Sequence, residues 1–210
     1  IRFKCMTTLS LIIPCYNESK NLPLLLDRCA EIVKHKKDVE IIIVDNGSTD
    51  DTPVVLDDLA LKYPFIIRTR VDNNQGYGNG ILAGLDVAKN DILAWTHADM
   101  QADPSDILIG VKKFECSSTP EELFVKGKRY GRPIMDVVFT VGMSIFETLF
   151  MKKLMWDINA QPTMFHRGFL KDWRNPPSDF SLDLYAYYMA KFTSKKVVRF
   201  SVKFGNRVHG

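Results

Sequence analysis

Val39-Glu40-Ile41-Ile42-Ile43-Val44 is an almost unbroken β-branched run, and Asp45-Asn46-Gly47-Ser48-Thr49-Asp50-Asp51-Thr52 follows it directly. A strand that is apolar on both faces is what a parallel sheet covered by helices on both sides requires. The polar residues after it are turn and cap formers, and Thr52-Pro53 reads as an N-cap with proline at the first helical position. The same alternation continues outward in both directions. Leu9 to Ile13 is a short strand expected to end at Pro14, and Leu22, Leu25, Leu26, Cys29, Ile32 and Val33 recur at helical spacing. Ile66 to Val71 and Ile92 to Thr96 read as further strands, with helices through Ile81, Leu85 and Ala88 and over Pro104 to Phe114. This alternation predicts an α/β fold with a mainly parallel central sheet flanked by helices. Ligands of such folds sit beyond the carboxyl ends of the strands.

The second half is less regular. Leu123 to Lys126 reads as a strand and opens a basic cluster of Lys126, Lys128, Arg129 and Arg132. Ile134 to Trp156 reads as a long helix or helix pair rich in Phe, Met, Val and Leu. Thr163 to Phe165 is a short strand, Pro176-Pro177-Ser178 introduces a helix from Asp179 to about Lys191, and Lys196 to Phe204 alternates like a last strand.

Composition bounds the function classes. With 210 residues, 46% hydrophobic and 25% charged, the chain reads as one globular domain over residues 1–210, not a collagen, coiled coil or disordered tail. Residues 1–5 are expected to precede a native start at Met6. Its 28 basic and 25 acidic residues are too balanced to predict a nucleic-acid partner. Cys5, Cys15, Cys29 and Cys116 form no CxxC pair and read as reduced thiols. His35, His97, His166 and His209 show no ligand spacing for zinc.

The chemistry lies in the loops after the strands. The first is Pro14-Cys15-Tyr16-Asn17-Glu18 and the second starts at Asp45-Asn46. The third carries Asn73, Asn74, Gly76, Gly78 and Gly80. Its glycines follow the third strand and lack dinucleotide-fingerprint spacing, which argues against a dehydrogenase. The fourth is His97-Ala98-Asp99-Met100-Gln101, where an acid and an amide oxygen two residues apart can share one hard cation.

The segments LSLIIPCYNESKNLPLLL, EIIIVDNGSTDDT, NNQGYGNGILAGLDVAKNDILAWTHADMQADP and VKGKRYG closely resemble family 2 inverting glycosyltransferases of the GT-A, Rossmann-like nucleotide-binding fold. Within the family the likeness is to the polyprenyl-phosphate, dolichol-phosphate mannosyltransferase-like branch. It covers residues 8–132 well and the rest loosely. The resemblance implies that Pro14, Tyr16 and Glu18 hold base and ribose, with Val44, Asp45 and Asn46 on the second loop. It implies that His97 and Ala98 face the sugar nucleotide, and that Asp99 binds Mg2+ or Mn2+ with Gln101 as helper. It assigns Arg129 and Arg207 to the diphosphate. Two residues depart from the pattern. His97 stands where an acid is usual, and Asn46 where many members have aspartate, so the choice between UDP- and GDP-sugar donors stays open.

Two acceptor classes follow from the chemistry. A sugar hydroxyl, as in polysaccharide or lipopolysaccharide assembly, needs a general base. The candidates are Asp183 and then Asp179. A polyprenyl phosphate is already an anion and needs none. The leading expectation is metal-dependent transfer to a polyprenyl phosphate. The glycan acceptor is second, and a non-catalytic nucleotide-binding module, motivated by His97, is third. The helix region 134–156 is either a core or dimer helix or one lying on a membrane, with Trp156 at the headgroups and Lys152 and Lys153 toward anionic lipid. Asp136 and Glu147 argue against a spanning helix. The expected location is cytoplasmic, peripheral on the cytoplasmic face of a membrane. Homo-oligomer formation stays open.

Overall fold

The computed structural model describes residues 7–208. The expectations for residues 1–5, Cys5, Met6 and His209 lie outside the described residues. The elements in order are β1 (Leu9–Cys15), α1 (Leu22–His35), β2 (Val39–Asn46), α2 (Thr52–Lys62), β3 (Ile66–Val71), α3 (Tyr77–Val87), β4 (Ile92–Trp95), α4 (Ile107–Glu115), β5 (Leu123–Tyr130), α5 (Ile134–Met151), β6 (Thr163–His166), α6 (Leu182–Phe192) and β7 (Lys196–Lys203). They build one sheet in the order β3-β2-β1-β4-β6-β5-β7. All neighbours are parallel except β6, which runs antiparallel to β4 and β5.

Alternation along β2 sends Ile41 and Ile43 to one core and Ile42 and Val44 to the other. The first core is closed by α1 and α4 through Leu25, Leu26, Ile107 and Phe114. The second is closed by α3 and α6 through Ile81, Leu85, Leu182 and Tyr187. Gly84 lets α3 lie directly on the sheet, because a Cβ there would come within 2.3 Å of Ile12.

Several boundaries differ from the expectations, each for a tertiary reason. Pro14 lies inside β1, not at its end. The Thr96 N–H donates to Ile12 O, so the even residues of β1 face β4, and that pairing ends at Ile12. Pro14 therefore lacks an N–H only where no strand asks for one. The polar run after Lys126 continues β5 to Tyr130, because β7 pairs with it residue by residue up to Tyr130↔Lys203. The helix region expected over 134–156 is one helix that stops at Met151, where Lys152 turns left-handed (φ 52°). Thr148 Oγ1 then accepts from the Met155 N–H at 2.9 Å and folds the following segment back.

Candidate functional site

The carboxyl ends of β1, β2 and β4 and the start of α3 enclose a cleft of about 430 Å³. Two loops are locked together at its rim. Asn17, at φ 56°, accepts through Oδ1 from the N–H groups of Thr49 (2.9 Å) and Asp50 (3.3 Å). The Asn17 N–H donates to Ser48 Oγ at 3.1 Å and the Glu18 N–H to Thr52 Oγ1 at 2.8 Å. The turn residues of the second loop thus serve to hold Tyr16 and Glu18 in place.

Pro14, Tyr16, Glu18, Asn46, His97, Ala98, Asp99 and Arg207 are brought together in this one cleft, from parts of the chain nearly two hundred positions apart. Asp45 and Val44 are corrected. Successive side chains on a strand point to opposite faces, so Asn46 faces the cleft while Asp45 faces α2. There Asp45 accepts from the Ser48 N–H at 2.9 Å and pairs with Arg70 at 2.9 Å. Val44 is buried in the second core. Asn46 explains its own departure from aspartate: its Nδ2 donates to Gly76 O at 2.9 Å, which a carboxylate cannot do. Its Oδ1 is buried without a hydrogen-bond partner among the described residues.

Asp99 is 8% exposed. It accepts from the Gln101 N–H at 3.1 Å, and its Oδ2 lies 3.5 Å from Nε of the half-exposed Arg207. Gln101 does not line the cleft; its Nε2 donates to Gly205 O at 3.3 Å and its carbonyl accepts from the Gly205 N–H at 2.8 Å. This tie is what carries the late arginine to Asp99. Burial, reinforced by the Asp99 charge, raises the Glu18 carboxyl above its usual range, against a hydrogen bond from Asn21 that lowers it. Burial also lowers the His97 imidazole below its ordinary value, which favours the neutral ring. That ring stacks on Tyr77 at 5.2 Å, and Tyr77 stacks on Phe180 at 5.2 Å.

Three expected residues stand elsewhere. Arg129 does not line the cleft: Nε donates to Asp157 Oδ1 at 2.8 Å, its N–H to Oδ2 at 2.9 Å, and Nη2 lies 2.6 Å from Oδ1. Asp183 is sealed beneath the cleft, 2% exposed, and is not at an acceptor side. Asp179 is exposed and receives hydrogen bonds from the Ser181 N–H and hydroxyl, which hold its carboxyl below the usual range. Tyr77, Phe180 and Asp157 were not singled out from sequence. The one available signal was that Asp157 is the only acid between Glu147 and Asp172, downstream of a basic cluster.

Among the described residues no three His, Cys, Asp or Glu side chains converge as a metal cage. The donor set still fits a hard divalent cation that takes most of its shell from water and a diphosphate. Asp99 supplies a nearly buried carboxylate at the cleft floor, and its charge partner there, Arg207, is an exposed side chain.

The chain is 33% identical over 107 residues to an undecaprenyl-phosphate 4-deoxy-4-formamido-L-arabinose transferase of Proteus mirabilis, covering 50% of this chain and 33% of that protein. The chain thus spans about a third of the length of the curated relative it matches. A mannosyltransferase from Pyrobaculum calidifontis, solved in complex with GDP-Man and Mn2+, superimposes with a TM-score of 0.72 at 18% identity, over 99% of this chain and 59% of that one. Glucosyl-3-phosphoglycerate synthase from Mycobacterium tuberculosis, solved with Mn2+, UDP-glucose and phosphoglyceric acid, gives 0.74 at 15% identity, over 99% and 74%. These likenesses bear out the GT-A fold expected from sequence. The Glycosyl transferase family 2 model matches residues 10–170, from β1 through β6, so the chain belongs to that family.

Proposed function

We propose that this chain carries the catalytic domain of a divalent-metal-dependent inverting glycosyltransferase. It moves a sugar from a UDP- or GDP-sugar to a polyprenyl phosphate at the cytoplasmic face of a membrane. The observation that carries this reading is the pairing of an Asp99–Arg207 donor cleft with a helix that wears its apolar face outward. On α5, Thr140, Ser144 and Thr148 recur every four residues and bond inward, to Arg132, the Asp157 N–H and Met155. The opposite side exposes Phe139, Phe146, Leu149 and Phe150. A core helix has the reverse arrangement. By length and composition α5 passes for a membrane span, but Asp136 and Glu147 suit one lying in the interface.

The acceptor class follows from the carboxylates. Asp183 is buried and paired with Lys126, and Asp179 is tied to Ser181, so neither is free to deprotonate a sugar hydroxyl at the cleft. A phosphate acceptor needs no such base. Asp99 would hold a divalent ion, which when bound would supply Lewis-acid neutralisation of the leaving diphosphate. Asp99 anchors that end of the donor, Arg207 adds fixed positive charge, and Tyr16 and Asn46 hold the base. The named arabinose transferase relative and the Mn2+ complexes with nucleotide sugars support both halves of the reading.

The test is transfer from UDP- and GDP-sugars to polyprenyl phosphate in anionic vesicles, with flotation measured in parallel. Burying a Phe side chain is worth about 1.5–3 kcal/mol, so replacing Phe139, Phe146 and Phe150 together by Ser is expected to abolish flotation. The same variant should lower vesicle transfer by about tenfold or more while nucleotide binding stays intact. Equal transfer to a water-soluble sugar hydroxyl, with none to the lipid phosphate, would overturn the proposal.

A further inference from the structure

A charged group sits where the fold alone has no use for one. Lys126, on β5, is fully buried, and its Nζ donates to Thr163 Oγ1 at 2.6 Å and lies 3.6 Å from Asp183 Oδ1. Asp183, in the first turn of α6, also accepts from Trp95 Nε1 at 3.1 Å and from Gln161 Nε2 at 3.0 and 3.1 Å. A sealed ion pair is a weak source of stability, and an apolar pair of the same volume commonly does as well.

The network reaches the cleft wall at Tyr77, whose hydroxyl interacts with the Asp183 carboxylate. Gln161 Nε2 also faces the Tyr77 hydroxyl at 3.3 Å. Gln161 Oε1, by contrast, is buried with no hydrogen-bond partner among the described residues. An amide leaves its oxygen unpaired only where something stronger dictates its orientation; here that is the Asp183 carboxylate, which takes the N–H side. Tyr77 is the first residue of α3, follows Gly76 at φ 110°, and stands between His97 and Phe180 in the cleft wall. We infer that the sealed Lys126–Asp183 pair is a positioning device for the donor cleft. Directly and through Gln161 it fixes the Tyr77 hydroxyl, and so sets the His97–Tyr77–Phe180 wall against which the nucleotide sugar is held. Lys126 neutralises the carboxylate that does this work; burial pushes its ammonium down to about 8, opposed by the Asp183 charge. Asp183 and Lys126 are therefore positioning residues and touch no reacting atom. The inference rests on the donor-cleft reading above.

The test measures binding of UDP and of GDP, each with Mn2+, by calorimetry on wild type, Tyr77→Phe, Asp183→Asn and the double variant. Thermal unfolding and steady-state transfer accompany it. Tyr77→Phe keeps the ring and loses only the tethered hydroxyl, so it stays informative if Asp183→Asn folds poorly. For whichever nucleotide wild type binds, each single variant is expected to weaken binding about tenfold, and the double no further, since both cut one tether. KM for the nucleotide sugar should rise in step, with kcat within about twofold. A purely structural role would lower the unfolding temperature and leave affinity unchanged. Wild-type affinity in Tyr77→Phe, or a double variant weakened about a hundredfold, overturns the inference while leaving the donor cleft standing. No nucleotide binding by wild type overturns the donor cleft, and the positioning role with it.

Discussion

Asp99→Ala is expected to lower glycosyl transfer by at least about 10²- to 10³-fold, the scale seen when one charge-stabilising group is removed from an active site. The side chain is nearly buried at the cleft floor, and no group of three potential ligands stands ready to replace it among the described residues. Its loss removes the carboxylate that Arg207 pairs with, 3.5 Å away, and frees that guanidinium to swing out with the exposed segment after Gly205. It also removes the acceptor of the Gln101 N–H, which helps hold the left-handed Met100 turn (φ 59°). Asp99→Asn keeps that acceptor and nearly the same volume while deleting the charge, so it separates charge from loop geometry. Both variants should be nearly inactive, with unfolding temperatures close to wild type for Asn. Chelation should bring wild type down to their level, and added Mn2+ should restore wild type alone. Near-normal turnover of Asp99→Ala that still requires metal would remove Asp99 from the site.

Asp183→Ala is expected to destabilise the fold by about 3–5 kcal/mol, because it strands the Lys126 ammonium in the core. Denaturant unfolding near pH 7 checks the size, and its pH dependence checks the cause. In the folded protein Lys126 is pushed down to about 8, while an unfolded lysine stays near its ordinary value of about 10.4. Removing Asp183 removes the attraction that holds the folded value up, so the variant's Lys126 discharges at still lower pH. Over the interval between that lower value and about 8, the unfolded variant binds more protons than the folded one, and its stability rises with pH. Wild type gains nothing there, so the deficit should narrow from about pH 6 to about pH 8. Lys126→Met combined with Asp183→Leu should recover the part of the loss due to the stranded charge, while the Trp95 and Gln161 donors stay unpaired. A deficit that is flat with pH, or a double replacement no better than Asp183→Ala, would show that the ion pair is not the source.

Much of the donor cleft was legible before any coordinates. Pro14 and Asn46 close strands whose periodicity is plain, and Tyr16, Glu18, His97, Ala98 and Asp99 follow such strands; a loop after a buried parallel strand has only one place to go. Arg207 was legible only by resemblance, because it is positioned by the Gln101–Gly205 contact with a loop far upstream. Arg129 illustrates the opposite case. It was expected after the fifth strand but lies within β5, and its partner Asp157, beyond α5, turns it away from the cleft. Asp183 looked like a helix-start carboxylate free to meet an acceptor. Lys126, Gln161 and Trp95, from three other strands or loops, seal it.

What the sequence by itself determined was therefore the α/β alternation, the order of the early loops and the chemistry gathered in them. Those signals live in periods of two and 3.6 residues and in turn chemistry, all of which act between near neighbours. Only the tertiary structure decided that β6 runs antiparallel, that α5 turns its apolar side outward, and that Lys126 and Asp183 meet in the dark under the cleft. Burial and ion pairing are properties of what packs against a residue, and here those partners come from segments far away along the chain.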